Sequence, residues 1–215
     1  MRIAAIVVAA GRGERFGSRK QFEELGGQTV AARSIQAARS VADFVVLVVP
    51  DDALDEAHGA DAVVAGGETR SGSVRSGLAA VPHEASVIVV HDAARPLASA
   101  SLFTAVVTEV QQGGADGAVP GVSITDTVKL LRGAADPSAV EVTLPRERVV
   151  AVQTPQAFRA DTLRRAHVGG VEGTDDASLV EAIGGRVVVV PGDAANRKVT
   201  TPEDLDRARA LLGAR

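Results

Sequence analysis

Four apolar runs along this chain are continuous rather than alternating, and five segments between and after them have helical spacing. The runs are Ile3–Val8, Val45–Val49, Val87–Val90 and Val187–Val190. The helical segments are Val30–Arg39, Ser73–Val81, Ser101–Gln111, Ala177–Ile183 and Glu203–Leu212. Strands buried on both faces have such continuous runs, so the pattern predicts a mainly parallel sheet with helices on both faces. We therefore expect an α/β, doubly wound fold that forms one domain over residues 1–215. Thr201 and Asp204 are placed to form a capping box at the start of the last helix.

Residues 123–152 interrupt this alternation. Asp126–Leu131 and Arg148–Val152 have strand-like patterns, and a polar segment, 132–146, separates them. We predict a hairpin arm that projects from the sheet, with its tip near Gly133–Ser138. An exposed arm presents unpaired strand edges, which a second copy of the chain would cover. The arm therefore predicts a homodimer.

Composition narrows the classes of partner and compartment. The chain has 215 residues, no cysteine, tryptophan or tyrosine, five phenylalanines and a net charge of −4. The missing cysteines exclude disulfides, thiolate metal sites and cysteine nucleophiles, and no apolar run approaches the length of a membrane span. Few aromatic side chains and an acidic surface argue against a nucleic-acid partner. We expect a cytoplasmic protein that interacts with neither membrane nor nucleic acid, in which a local cluster of cations would hold any anionic ligand.

The loop that follows the first predicted strand supplies such a cluster. It combines small residues and glycines with cationic side chains: Ala9, Ala10, Gly11, Arg12, Gly13, Arg15, Arg19 and Lys20. Backbone N–H groups that approach an anion closely, together with cations, suit the phosphates of a nucleoside triphosphate. The simpler interpretation is that Gly11 and Gly13 only form a strand-to-helix turn.

Two well-known phosphate loops do not fit this segment. A dinucleotide-binding loop needs a third glycine where Phe16 stands. A Walker loop needs glycine before its lysine and serine or threonine after it, but Arg19 and Gln21 flank Lys20. The sequence thus disfavours both hydride transfer and a P-loop enzyme.

A second motif, His91-Asp92-Ala93-Ala94-Arg95-Pro96, follows the third apolar run. A carboxylate at a strand end beside small residues is well placed to meet Mg²⁺, which takes oxygen ligands and few of them from protein. Arg95 is able to bind a phosphate through two parallel hydrogen bonds. The alternative is that Asp92 caps a turn and pairs with Arg95.

Three further groups of residues belong to the same predicted sheet edge or to helix starts. Gly66 and Gly67 allow a base or ribose to approach, and we predict that Ser73 begins a helix. Lys198 follows the last buried strand, so it returns to the same edge of the sheet. Thr174 and Asp175 are equally well explained as helix caps. His58, His83 and His167 stand among polar residues, so we expect them to be solvated.

Taken together, these motifs resemble the 2-C-methyl-D-erythritol 4-phosphate cytidylyltransferases of the non-mevalonate isoprenoid pathway. The similarity runs from Ile3 to about Leu212 and rests on the first loop, the motif around Asp92 and four later segments. The later segments are Asp126-Thr127, Thr154-Pro155-Gln156, Lys198-Val199-Thr200 and Pro202-Glu203-Asp204. One departure is that family members commonly have proline before the loop lysine, where this chain has Arg19.

The resemblance implies a nucleotide-diphospho-sugar transferase-like fold and an Mg²⁺-dependent reaction of CTP with 2-C-methyl-D-erythritol 4-phosphate. In that family the matching Arg15 and Lys20 stabilise charge at the reacting α-phosphate, and Asp92 lies by the magnesium. The matching nucleotide-binding residues are Ala9, Ala10, Gly11, Gly13, Gly67, Ser73, Asp92 and Ala93. The matching residues of the alditol phosphate site are Arg95, Thr127, Arg146, Thr154, Thr174 and Lys198. The resemblance also implies that Arg146 reaches the neighbouring subunit's site.

Other functions stay open at this point. A cytidylyltransferase for ribitol 5-phosphate or another alditol phosphate would have nearly the same motifs, although the double alanine after Asp92 favours methylerythritol phosphate. A module that binds CTP without reacting is a more distant alternative, because it would not need Arg15, Lys20 and Asp92 together. A sugar-1-phosphate nucleotidyltransferase is disfavoured, since such chains are usually longer.

Overall fold

The computed structural model describes residues 2–11, 13, 16–17, 19–134 and 136–213. Within them lie six α-helices: α1 (Val30–Ala38), α2 (Arg70–Ala80), α3 (Ala100–Gln111), α4 (Ala160–Ala166), α5 (Asp176–Ala182) and α6 (Pro202–Gly213). The same residues form twelve strands: β1 (Arg2–Val8), β2 (Glu24–Leu25), β3 (Gln28–Thr29), β4 (Phe44–Val49), β5 (Ala62–Ala65), β6 (Ala85–Asp92), β7 (Gly117–Ser123), β8 (Val128–Leu131), β9 (Val140–Leu144), β10 (Val150–Val152), β11 (Gln156–Arg159) and β12 (Val187–Pro191). No helix of these ranges is both long and apolar enough to cross a bilayer.

Eight strands form the central sheet, and most of them are parallel. β1 pairs in parallel with β4 and β6, β4 with β5, and β7 with β12. β11 runs antiparallel between β6 and β7, and β10 pairs antiparallel with the end of β7. The carboxyl ends of β1, β5, β6 and β12 therefore meet at one edge, where ligands bind in open α/β sheets.

Both faces of the sheet carry an apolar core. On one face Ile35 of α1 and Phe103 of α3 pack against side chains such as Val89. On the other face Val74 of α2 and Leu163 of α4 pack around Ile6. The prediction of a mainly parallel sheet with helices on both faces is confirmed. The continuous apolar runs arise because β1, β4 and β6 are buried on both sides.

The bounds of the five predicted helices agree with the structure to within a residue, except at α2, and α4 was not predicted. Helix α2 begins at Arg70, capped by the Thr69 hydroxyl, which accepts from Gly72 N at 2.9 Å. The prediction that Ser73 begins the helix is wrong: Ser73 lies inside the first turn and its Oγ donates to Thr69 O at 3.0 Å. The capping box of α6 is confirmed, because Thr201 N donates to Asp204 Oδ2 at 3.1 Å.

The projecting arm is present, but one of its strands differs from the prediction. β8 pairs antiparallel with β9, which lies inside the segment predicted to be polar, and residues 132–134 and 136–139 belong to the tip. The stretch predicted as the second arm strand ends in β10, which pairs with β7 in the central sheet. β9 escaped detection because polar Glu141 and Thr143 alternate with Val140 and Val142, and a half-polar strand has no continuous apolar run.

Candidate active site

A cavity of about 540 Å³ opens at the carboxyl ends of β1, β5 and β6. Its walls come from the loops after these strands and after β12. The lining residues are Val8, Ala9, Ala10, Gly11, Gly13, Phe16, Lys20, Gln21, Gly67, Glu68, Thr69, Arg70, Ser73, Asp92, Ala93, Ala94, Lys198 and Thr200. All eight residues predicted to bind nucleotide are among them, as is Lys20. Arg12 and Arg15 lie outside the described residues.

The first loop is fixed to its surroundings at several points. Ala9 N donates to Val48 O at 2.7 Å, which ties the loop's start to the neighbouring strand. Gln21 is buried, and its Nε2 donates to Gly11 O at 3.3 Å. Lys20 begins a short 3₁₀ turn, Lys20–Phe22, and Arg19 forms an exposed ion pair with Asp52. Arg19 thus links the loop to the segment after β4.

The two glycines after β5 allow close packing around the cavity. A side chain at Gly66 would place its Cβ 2.3 Å from the Cβ of Ala10, and one at Gly67 would lie 2.8 Å from the backbone of Gly72. Both distances are shorter than real Cβ contacts, so only glycine fits there. Gly66 therefore packs against the first loop, whereas Gly67 lines the cavity as predicted.

Asp92 ends β6 with its carboxylate held between two cations. Its Oδ2 accepts from Lys198 Nζ at 2.7 Å, and its Oδ1 accepts from Arg70 Nε at 3.1 Å. Burial opposes ionisation, but Arg70 and Lys198 outweigh it and hold the pKa of Asp92 well below its usual range. Asp92 is therefore charged at neutral pH. The alternative in which Arg95 pairs with Asp92 is wrong, because Arg95 Nη1 donates to Asn196 O at 2.8 Å.

Sequence reasoning missed Arg70 and Asp176 as parts of this site. Arg70 Nη1 donates to Asp176 Oδ2 at 2.8 Å, and His167 Nε2 lies 2.9 Å from Asp176 Oδ1. Although burial disfavours a charged guanidinium, Asp176 and Asp92 raise the pKa of Arg70 above its ordinary value. The prediction that His167 is solvated is wrong, since it is 5% exposed. The position of Arg70 within the glycine- and serine-rich segment 66–73 was a sequence signal for a cation at the site. No local pattern indicates its partner Asp176, which lies 106 residues away.

A second cavity, of about 240 Å³, adjoins the first. The two cavities share Arg70, Asp92 and Lys198, which we call the charged wall. The other lining residues are Arg95, Val152, Gln153, Thr154, Gln156, Thr174 and Asp175. Four residues predicted for the alditol phosphate site, Arg95, Thr154, Thr174 and Lys198, thus lie together. Asp175 caps α5, as predicted, by accepting from Ser178 N at 2.9 Å, whereas Thr174 is exposed beside the cavity.

Buried amides hold Lys198 at this wall. Asn196 Nδ2 donates to Thr154 O at 2.9 Å, and Gln153 Nε2 donates to Asp193 O at 2.8 Å. These contacts tie the segment after β12 to the turn between β10 and β11. The prediction that Lys198 returns to this edge of the sheet is confirmed.

Thr154 also connects two members of the second motif. Its Oγ1 accepts from Asp92 N at 3.0 Å and lies 3.1 Å from His91 Nδ1. Burial lowers the pKa of His91 to about 4, so this imidazole is neutral at neutral pH. The hydroxyl of Thr154 is thereby fixed at the border of the second cavity.

Two predicted site residues lie away from both cavities. Thr127 and Arg146 are exposed on the arm, and Arg146 Nη1 donates to Thr125 O at 2.8 Å. Neither residue is part of the lining of these two cavities.

Comparison with known proteins identifies the family. A sequence model of 2-C-methyl-D-erythritol 4-phosphate cytidylyltransferase, IspD, matches residues 3–214. The chain belongs to this family of nucleotidyltransferases. The 2-C-methyl-D-erythritol 4-phosphate cytidylyltransferase of Streptomyces coelicolor is 46% identical over 100% of this chain and 86% of its own length. The family's place in isoprenoid biosynthesis agrees with the resemblance drawn from the motifs.

Another relative is longer. The bifunctional enzyme IspD/IspF of Clavibacter michiganensis is 45% identical over 98% of this chain, which spans 54% of that protein. Among solved structures, 4-diphosphocytidyl-2C-methyl-D-erythritol synthase from Anaerococcus prevotii superposes with a TM-score of 0.83 at 29% identity, covering 99% of this chain and 98% of its own. The Thermus thermophilus cytidylyltransferase gives 0.77 at 35% identity, covering 98% of each chain. These similarities support both the family and the fold.

Proposed function

We propose that the chain transfers a cytidylyl group from CTP to 2-C-methyl-D-erythritol 4-phosphate. The products are 4-diphosphocytidyl-2-C-methyl-D-erythritol and pyrophosphate. The observation that carries the proposal is the pair of adjoining cavities that share the charged wall, because a transfer between two phosphates needs two anion sites in contact. The proposal includes a cytoplasmic location, which stays a prediction.

The chemistry requires little covalent work from the protein. A phosphate oxygen of the alditol phosphate forms a bond to the α-phosphorus of CTP, and the bond from that phosphorus to the pyrophosphate oxygen breaks. Two polyanions must be held in line, so positioning and charge neutralisation provide most of the rate. We assign these tasks to Lys20 and Arg15 on the nucleotide side and to Lys198 and Arg95 on the side of the second cavity.

The nucleotide would lie in the larger cavity. The backbone of Ala10 and Gly11 would offer N–H groups to the phosphates, and Gly67 leaves room for the base or ribose. Lys20 lines the same cavity and brings a positive charge to it. Backbone N–H groups of the first loop and the Lys20 ammonium would therefore hold the triphosphate together.

The residues fit a magnesium ion with a single protein ligand. Asp92 is one of two carboxylates that line the larger cavity, and each of its oxygens keeps a lone pair beyond the contact with Arg70 or Lys198. Among the described residues no three histidines or carboxylates gather into a metal site. Mg²⁺ commonly takes one or two protein carboxylates and completes its shell with phosphates and water. When bound at Asp92, it would supply charge neutralisation at the phosphates.

The arm residues fit a site completed by a second subunit. Arg146 and Thr127 are exposed and face neither cavity of their own chain. The arm also exposes apolar side chains, with Leu130, Leu131, Val140 and Val142 each 45–47% accessible. Exposed apolar strands are typical of surfaces that a partner covers. We propose a homodimer in which Arg146 reaches the neighbouring site.

Mass spectrometry of the products tests the proposal directly. The protein is incubated with CTP, magnesium and, in separate reactions, methylerythritol phosphate, ribitol 5-phosphate and erythritol 4-phosphate. We expect the cytidine diphosphate adduct of methylerythritol phosphate to form fastest. Faster product from another alditol phosphate would reassign the substrate. CTP binding without product from any of them would leave a CTP-sensing protein.

A further inference from the structure

Asp176 is a fully buried carboxylate beside the charged wall, and it is not placed to contact a substrate directly. Its side chain is 0% exposed, and it lines neither cavity. A buried carboxylate is costly unless it is paired and hydrogen-bonded. Asp176 satisfies this condition with Arg70 on one side and His167 on the other, at 2.8 and 2.9 Å.

Helix capping does not account for Asp176. The N-cap of α5 is Asp175, whose carboxylate accepts from Ser178 N at 2.9 Å and from Gln156 Nε2 at 2.8 Å. Asp176 is the first residue of the helix, and its carboxylate turns to the guanidinium of Arg70 instead. The neighbouring aspartate therefore caps the helix, and Asp176 has a different partner.

Arg70 connects Asp176 to the charged wall. Its Nη1 donates to Asp176, while its Nε donates to Asp92 at 3.1 Å. The guanidinium is planar and rigid, so a partner that fixes one edge also fixes the direction of the other. Lys198 holds the second oxygen of Asp92 from the opposite side. The position of the Asp92 carboxylate is thus defined by Lys198 and by an arginine that Asp176 orients.

Asp176 also balances the charge at this point. Without it, Asp92 would be the only carboxylate within hydrogen-bonding distance of Arg70 among the described residues. Arg70 would then compete more strongly with Lys198, and with any cation bound at Asp92, for the same carboxylate. The buried aspartate keeps part of Asp92 available to ligands on both sides of the wall.

We infer that Asp176 is a positioning residue for cytidylyl transfer: acting through Arg70, it orients Asp92 between the two cavities. This inference rests on the proposed function. Asp176 lines neither cavity, and His167, which contacts its other carboxylate oxygen, lines neither of them either.

A double-mutant cycle tests the inference, with Asp176→Asn, Arg70→Gln and the double variant compared in kcat/KM and melting temperature. We expect Asp176→Asn to lose at least about tenfold in kcat/KM, and the double variant to be no less active than the weaker single variant. The double variant should melt at a higher temperature than Arg70→Gln, because the buried Asp176 carboxylate no longer stands without its guanidinium partner. Its activity should nevertheless stay low, because Asp92 has lost its contact with Arg70.

Two further variants separate positioning from folding. Asp176→Glu keeps the charge and should recover most of the activity that Asp176→Asn loses. Asp116→Asn is the matched control, since Asp116 accepts from Arg186 N at 2.9 Å and lines neither cavity. This control should have a lower melting temperature than the wild type but the same kcat/KM.

Three results would overturn the inference: wild-type kcat/KM in Asp176→Asn, strictly additive losses in the cycle, or activity that returns with stability in the double variant. If the wild-type protein forms no cytidylyl product at all, the proposed function is wrong, and the inference that rests on it is wrong as well. The wild-type reaction therefore distinguishes the two failures.

Discussion

The charged wall and the arm both carry predicted substrate residues, yet they are built in opposite ways. At the wall, Asp92 and Arg70 come from buried or half-buried elements and make ion pairs within one chain. On the arm, Thr127 and Arg146 are exposed, and the guanidinium of Arg146 donates to a backbone carbonyl, Thr125 O, of the same arm. One subunit completes the wall, whereas in the proposed homodimer the arm residues act on a second subunit. The comparison sets residues that the fold positions against residues that the proposed assembly would position.

Lys20→Ala should give the largest effect and tests the nucleotide side of the comparison. Removing one preorganised donor at a reacting phosphate typically costs about 10²- to 10³-fold in turnover, and we expect a loss in this range. Steady-state kinetics with CTP and methylerythritol phosphate measure it. Arg159→Ala is the control, because it removes an equal charge from an exposed position outside both cavities. Turnover near the wild-type value in Lys20→Ala would contradict its assigned role. The same loss is expected for Arg15→Ala.

The buried imidazole of His91 should make the free energy of unfolding depend on pH. Burial lowers its pKa to about 4 in the folded state, against about 6.5 in an unfolded chain. Between these values the unfolded chain binds a proton that the folded chain does not. The free energy of unfolding should therefore fall as pH drops through this window, by about 1 kcal/mol per pH unit and about 3 kcal/mol in total.

Urea unfolding between about pH 7 and pH 5 measures this dependence in the wild type and in His91→Asn. The amide of asparagine does not titrate in this window, so the variant should lose most of the slope. Asp92 stays ionised here because Arg70 and Lys198 keep its pKa low despite its burial. Equal slopes in the two proteins would show that His91 is not the titrating group.

Arg146→Ala tests the arm. Loss of a charged hydrogen bond to a substrate phosphate should lower kcat/KM by about 10- to 100-fold. Mixing this variant with Lys20→Ala shows whether the contact crosses between subunits. In a twofold dimer with random exchange, one site of each mixed dimer is intact, so about a quarter of the wild-type activity should return. No recovery on mixing, with exchange verified, would place Arg146 in its own subunit's site.

Arg19→Ala should have the smallest effect. The Arg19–Asp52 ion pair ties the first loop to the segment after β4, but both side chains are exposed. Exposed ion pairs contribute little, and the loop is also held by Gln21. We expect kcat/KM within about threefold of the wild type, and an equal result for Asp52→Asn. A loss as large as that of Lys20→Ala would mean that the pair positions Lys20.

The sequence predicted the parts of the site that depend on strand ends. Continuous apolar runs located β1 and β6, and parallel strands end at a common edge, so the first loop and Asp92 were expected to meet. The same reasoning located Lys198 after β12. It failed for Ser73, because the threonine cap that starts α2 lies one turn earlier.

Long-range polar contacts were beyond sequence reasoning. Arg70 and Asp176 are each ordinary in their local segments, and the 106 residues between them carry no pattern that links them. The buried pair of Gln153 and Asn196 is similar, since both are usually exposed residue types. The second arm strand was hidden because half of its side chains are polar.

By itself, the amino-acid sequence determined the layered α/β fold, the glycine-bearing loop and the edge of the sheet where ligands bind. These follow from local patterns, because side-chain periodicity and backbone freedom act over a few residues. Only the tertiary structure decided that Asp92 is held between Arg70 and Lys198, that Asp176 lies buried beside Arg70, and that Arg146 lies outside the lining of both cavities. Such facts depend on which distant segments meet, and folding brings them together because buried charges must find partners.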